Sequence, residues 1–366
     1  MNINMDLIGQ NGQVMGAVAN HLTANGQLNT GAMRPFLDSK GRSCITVYVG
    51  GDRKDPKSYR TQQINTNATL RRDEWKQLDQ AVLDVSRYRL GGIDDLVANG
   101  LVYNLGNAMG TTVIEWHDQG DAMEAVMTMD AITRGKNDRP VYQYNYLPIP
   151  IVHVDYEINA RTLAASRNMG NPLDTTSVQL ATRKVREYLE TMLFTDTDYG
   201  FGELDSRSHN KIYSYLNHPD RNEVSLTTAW DGSGMTGALI VDDVLAMKQA
   251  SIEAYHSGPW MLYIPTEYET VLDEDYSTTK GTNTIRERIL KIDGIKGIKV
   301  IDTLTADNVL LIQMTPDVVR LVKGMPIQNI EWQVEGNMMT KYKVMTIQVP
   351  QIRSDQNLKS GVTHLA

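Results

Sequence analysis

From Pro140 to Asp196 the chain passes from an extended ribbon straight into one long two-faced helix, and few folds accommodate that junction. Tyr142, Tyr144 and Tyr146 alternate with Gln143 and Asn145, a period of two that sets three aromatic rings on one face of a strand. The same period runs upstream, where Met123, Ala125, Met127, Met129 and Ala131 share a face opposite Glu124, Thr128 and Asp130. Arg134, Gly135, Lys136, Asn137, Asp138 and Arg139 form a polar reversal between the two runs, which predicts a single hairpin. At the rise of a strand its arms reach roughly 35 to 45 Å. A two-stranded ribbon has no core of its own and is marginal in water, so its apolar face requires a neighbour.

The helix that follows has its own signals. Asp174, after Pro172 and Leu173, is placed to accept from the first free backbone amides, and the helix is expected to run to about Phe194. Val178, Ala181, Val185, Tyr188, Leu189 and Met192 recur at steps of three and four and form the predicted buried face. Gln179, Arg183, Lys184, Arg186, Glu187 and Glu190 fall elsewhere on the helix. A rod of about twenty residues spans some 30 Å.

In this order the parts resemble the HK97-type major capsid proteins of tailed bacteriophages, most closely the encapsulin-like branch of that lineage. Leu147 to Glu157, with Pro148 and Pro150, resembles the strand that leaves the family's E-loop hairpin. Arg161 to Arg167 resembles the short helix after it, and Pro172 to Thr176 the entry to the spine helix. The likeness covers roughly residues 105 to 353 and lies in the order and spacing of elements more than in any short motif. It implies an α+β fold. An N-terminal arm and extension would occupy 1–70, N-terminal helices and the start of a peripheral domain 71–117, and the E-loop hairpin 118–150. The peripheral domain with its spine helix would occupy 151–197, an axial domain 198–324, and return strands with the C-terminus 325–366. Tyr276, Thr278, Lys280 and Asn283 would then lie on the axial tip loop, and Met123, Met127, Met129, Tyr142, Tyr144 and Tyr146 would touch a neighbouring subunit.

Composition narrows the alternatives. With 366 residues, 41% of them hydrophobic and 22% charged, the chain can bury a substantial core and hold two subdomains. No run of eighteen apolar residues predicts a membrane span, and the first residues lack the basic start and apolar block of a signal peptide, which predicts a protein of the cytoplasm. Cys44 is the only cysteine, so neither an intrachain disulfide nor a cysteine metal cluster can form. A net charge of -8 without a Lys/Arg-rich tract argues against a sequence-reading nucleic-acid protein. A shell wall that repels phosphate, in contrast, would let packaged DNA slide.

The remaining segments read as follows. Residues 1 to about 35 are rich in Asn, Gln and Gly and cannot bury much surface alone, which suits an arm lying on neighbours. A strand is expected at Ile45 to Val49, a helix at Arg72 to Arg89 ended by Gly91 and Gly92, and a second helix from Asp94 to Leu105. After the spine, Asp242 is a candidate cap for a helix reaching Tyr255. Strands are expected at Trp260 to Ile264, Ile298 to Leu304, Val309 to Met314, Val318 to Lys323, Asn329 to Val334 and Lys341 to Val349, with a short helix near Glu267 to Leu272.

Catalytic signals are missing from the sequence. The seven histidines are scattered, and none pairs with another at helical ligand spacing. Asp196 with Asp198, and Asp273 to Asp275, read as solvated acidic turns, since neither matches a calcium loop. No P-loop, nucleophile elbow or dinucleotide fingerprint occurs, and Gly232, Gly234 and Gly237 read as a loop before a helix. Some members of the HK97 lineage join an E-loop lysine to an asparagine of another subunit; Lys136 sits at the hairpin tip, but the matching acceptor and carboxylate are not evident. The expectation is therefore a non-enzymatic major capsid protein with no cofactor and no metal, in a virion assembled in the host cytoplasm. The resemblance implies homo-oligomers, as pentamers and hexamers, together with a portal, possible scaffolding or decoration proteins, and packaged double-stranded DNA. An encapsulin shell around a cargo enzyme is the alternative of the same fold, and a stand-alone α/β enzyme the alternative of another class.

Overall fold

The computed structural model describes residues 34–48, 52, 55–63, 70–86, 91–106, 108–119, 127, 129, 142–169, 175–197, 199–200, 211–276, 283–335, 338–355 and 357–366. Strands β1 (Phe36–Leu37), β2 (Ser43–Tyr48) and β3 (Tyr59–Gln63) form an antiparallel ribbon in sequence order. Helices α1 (Arg72–Ser86) and α2 (Gly91–Ala98) follow, then the short strand β4 (Val102–Asn104). Strands β5 (Val113–Gln119) and β6 (Tyr142–Pro148) pair with each other, and β7 (Val152–Asn159) leads into α3 (Ala160–Met169) and the long α4 (Thr176–Phe194). Beyond α4 come β8 (Asn222–Val224), α5 (Gly237–Glu253), β9 (Trp260–Pro265), α6 (Glu269–Leu272), α7 (Ile285–Leu290), β10 (Ile295–Ile301) and β11 (Val309–Gln313). Two long strands, β12 (Val319–Glu335) and β13 (Met339–Ile352), precede the short β14 (Val362–Leu365).

Two sheets organise these elements. A four-stranded sheet has the order β4-β12-β13-β7, with β12, β13 and β7 antiparallel and β4 parallel to β12. A five-stranded sheet has the order β10-β9-β11-β14-β8 and mixes parallel and antiparallel pairs. Its central strands are apolar on both faces. Met261 and Tyr263 join the core that also holds α4, whereas Leu262 and Ile264 join a second core against α5 and α7. Leu310 and Ile312 divide from Val309 and Leu311 in the same way, which explains a continuous apolar run in place of alternation. A third core gathers Phe36, Trp75, Leu78, Val178 and Tyr342 between the ribbon, α1 and the four-stranded sheet.

The structure corrects several expected boundaries. The second helix ends at Ala98, not Leu105, because Gly100 takes a left-handed φ of +71°. The Leu101 amide then donates to the Leu96 carbonyl at 2.8 Å and the Gly100 amide to that of Val97 at 3.1 Å, which closes the helix and releases the chain into β4. Gly91 and Gly92, expected to end α1, instead begin α2. Helix α5 starts after Thr236, so Asp242 lies inside it and caps nothing. The two strands expected on either side of Gly324 are one strand, β12, bent by register shifts around Met325 and Gln328 that accommodate the exposed Pro326. Strand β10 lies three residues earlier than expected, and α7, β4, β8 and β14 were not expected at all. The proposed cap Asp174 lies outside the described residues, and Thr175 at the N-cap makes no side-chain capping bond.

Candidate interaction surfaces

The hairpin is rooted in the main core. From Val113 opposite Pro148 to Gln119 opposite Tyr142 the ladder is unbroken. Leu147 and Ile149 are buried, Ile114 and Trp116 pack against the same core, and the Ile149 amide donates to the Thr112 carbonyl at 2.9 Å. Within the described residues the first arm is Val113–Gln119; of the expected run Met123 to Ala131 only Met127 and Met129 are described. Met127 and Met129 carry no strand and are fully exposed, whereas Met123 and the reversal at 134–139 lie outside the described residues. Tyr144 is 54% exposed opposite His117, Tyr146 is partly buried opposite Glu115, and the side chain of Tyr142 lies outside the described set.

On α4 the predicted face is largely the buried one. Val178, Ala181, Val185, Leu189 and Met192 are all buried. Tyr188 is not: it is 46% exposed and lines a groove of about 400 Å³ with Ile151, Val152, Val154, Met192 and Tyr199. It stands at the margin of the apolar stripe, where the helix surface turns toward solvent. Glu190, expected on the polar side, is buried instead. Its carboxyl accepts from the backbone amides of Gly92 at 3.0 Å and Ile93 at 3.5 Å, so a side chain of α4 holds the first turn of α2. Burial pushes its pKa up, against the opposing effect of the two amides.

Next to this contact, Asp95 is buried on α2, accepts from the Tyr263 hydroxyl at 3.0 Å and pairs with Lys299. Phe194 packs edge-on against Tyr215 and Tyr263, with ring centroids 5.5 Å and 5.2 Å apart. The group therefore locks α2 and α4 to the five-stranded sheet. No sequence signal marks Glu190 or Asp95 for this role, because both partners are distant in the chain.

At the expected tip loop, Tyr276 is partly buried against the second core, and its amide donates to the Asn283 carbonyl at 3.0 Å. The two residues close the neck of the loop, and Asn283 is exposed there. Thr278 and Lys280 lie outside the described residues. Among the described residues no group of three His, Cys, Asp or Glu side chains is placed to hold a metal. Among them also, no helix is long and apolar enough to cross a membrane.

Comparison with known proteins gives the fold a precedent. A family model described as a family of unknown function (DUF6260) matches residues 65–365. No curated protein matches the sequence. Among solved structures the chain is similar to a virus-like particle from Pyrococcus furiosus, with a TM-score of 0.57 and 17% identity, covering 80% of this chain and 99% of that one. It is also similar to the capsid of Myoviridae phage XM1, with a TM-score of 0.57 and 8% identity, covering 76% and 92%. The capsid of a native GTA particle gives a TM-score of 0.55 at 10% identity, covering 76% and 91%. The fold is of the HK97 type, as the resemblance implied.

Proposed function

The chain belongs to the DUF6260 family of unknown function, and from its fold we propose that it is the major capsid protein of a tailed bacteriophage. The observation that carries this reading is coverage: the fold accounts for 92% of the XM1 capsid chain, so the likeness extends over a whole shell subunit. In this reading subunits assemble as pentamers and hexamers around double-stranded DNA, with a portal at one vertex and scaffolding or decoration proteins as further partners. The mechanism is geometric, and no catalytic chemistry is assigned. In this reading Tyr144 of the rooted hairpin and the exposed Met127 and Met129 meet the surface of an adjacent subunit. Met and Tyr suit this role because they give large contact area while tolerating small changes of angle between neighbours. The loop closed at Tyr276 and Asn283 would converge on the five- and six-fold axes.

A cargo-enclosing shell of the encapsulin kind is the second reading, favoured by the 99% coverage of the Pyrococcus furiosus particle chain. Negative-stain microscopy of the chain expressed alone, and then with its neighbouring genes, tests both. Closed shells tens of nanometres across are expected. Small uniform oligomers under both conditions would overturn the shell reading, and shells filled with a co-expressed enzyme in place of DNA would select the second one.

A further inference from the structure

Where β12 begins and β13 ends, two arginines meet. Arg320 faces Gln351 across the β12–β13 ladder, and Arg353 lies two positions beyond Gln351, its amide bound to the Val318 carbonyl at 2.8 Å. By the two-residue period of extended chain the three side chains leave the same face of the sheet. Arg320 Nε donates to Gln351 Oε1 at 2.5 Å, and its guanidinium lies 4.5 Å from the centre of the Tyr103 ring on β4. Burial and then the charge of Arg353 pull the Arg320 pKa down, with only Tyr103 opposing them. Among the described residues neither arginine has a carboxylate as ion-pair partner. Donors are left over. Gln351 is 1% exposed, and with its oxygen taken by Arg320 its Nε2 has no acceptor; the buried Nε of Arg353 has none either. A guanidinium carries no acceptor of its own, so the cluster offers unmatched donors only. Buried donors are nearly always matched in a folded protein, and two like charges without a counter-ion repel.

We propose that Arg320, Gln351 and Arg353 form a binding site for a single oxyanion of the carboxylate or phosphate class. One such ion supplies acceptor oxygens to several donors at once, matches the planar fork of a guanidinium, and cancels the repulsion between the two charges. Both arginines are partly exposed and can turn toward an arriving ion. A nucleic-acid backbone does not suit the site, because it requires a continuous basic track. Here the surroundings are acidic: Asp220 accepts from the Ser354 hydroxyl at 2.7 Å, next to Arg353, and Asp317 and Asp355 are exposed close by in the chain. The oxyanion is either free in solution, as phosphate is, or a side-chain carboxylate of an adjacent copy. Only the second source rests on the shell reading.

Thermal melting of unassembled subunits with inorganic phosphate, against sodium chloride of equal ionic strength, tests the site. Arg353→Gln is the comparison, because the Arg353 side chain makes no hydrogen bond among the described residues and its loss should leave the fold intact. At about tenfold excess over Kd, phosphate should raise the wild-type Tm by about 2 °C more than that of the variant. Phosphate stabilises folded proteins in general, so only the difference counts. Equal rises in the two chains would overturn the proposal. Carbodiimide treatment of Arg353→Lys particles, assembled from equal amounts of isotope-labelled and unlabelled subunits, then separates the sources. The reagent joins an amine to a carboxylate in direct contact, and mass spectrometry identifies the joined peptides. Peptides that pair a labelled with an unlabelled copy would assign the oxyanion to a neighbour. Their absence, with the phosphate effect on melting intact, would assign it to the free ion. Coupling to Asp220, Asp317 or Asp355 of the same copy would show that the chain's own carboxylates serve the arginines, and would overturn the proposal as well. The melting experiment needs no particle and stands if the shell reading fails.

Discussion

Replacing Gly92 with alanine probes the tightest junction in the molecule. A Cβ built there lies 2.7 Å from Leu193 Cδ2 and 2.8 Å from Phe194 Cζ, and closer still to Phe194 Cε2. Neither neighbour can swing away: both are fully buried, and the Phe194 ring is braced by Tyr215 and Tyr263. Overpacking of this kind costs about 1–3 kcal/mol. Pushing α2 outward also lengthens the bond from the Gly92 amide to Glu190, a hydrogen bond of a class worth about 1.5–3 kcal/mol when charged and less when neutral. Alanine's better helix propensity returns about 1 kcal/mol. The net loss is about 3 kcal/mol, or roughly 4 °C in Tm for a chain of 366 residues. Thermal melting of unassembled subunits by circular dichroism measures it. Gly91→Ala is the milder control, because the Cβ there meets a single close atom, the terminal methyl of Ile301 at 2.8 Å, and no aromatic ring. A Gly92→Ala subunit that melts with the wild type would refute the argument, as would the absence of partial rescue by Phe194→Leu, since the two sites touch and must couple.

Two further outcomes follow from the same region. Tyr263→Phe removes the hydroxyl that donates to Asp95 at 3.0 Å while leaving Lys299 in place, so it should lower stability by about 1–2 kcal/mol in urea titrations; an unchanged midpoint would show that the bond adds nothing. Glu190 has its folded pKa raised by burial, so the folded chain holds that proton more tightly than the unfolded one, and its contribution is whole below the ordinary glutamate value and lost as pH rises through the raised one. The stability of wild type relative to Glu190→Gln should accordingly be greatest in acid and decline toward neutral pH, and a difference that grows with pH would mean that the two amides keep the carboxylate charged.

The parts legible in the sequence are those governed by local periodicity. Val178, Ala181, Val185, Leu189 and Met192 announce the buried face of α4 because one helix face meets one sheet. Near its C-terminus the same helix is enclosed on a second side by α2, against which Glu190, Leu193 and Phe194 are buried outside that stripe. No period within α4 reports a cover supplied by residues about a hundred positions earlier. The alternation at Tyr142 to Tyr146 located β6, but the strand described opposite it is Val113–Gln119, whose mixed composition gave no alternating signal. Helix starts failed for a related reason. Gly91 with Gly92 reads as a stop when only propensity is weighed, yet the close approach of Phe194 and Leu193 requires glycine inside the first turn of α2.

Strand β14 sets an order in time. It lies between β11 and β8, and places Val362 in the core shared with α4 and Leu365 in the core beneath α5. Strand β8 has no other partner among the described strands, so on the ribosome it waits for about 140 further residues before its neighbour exists. A nascent or prematurely released chain therefore carries an open slot in its larger sheet between β11 and β8, which only β14 fills.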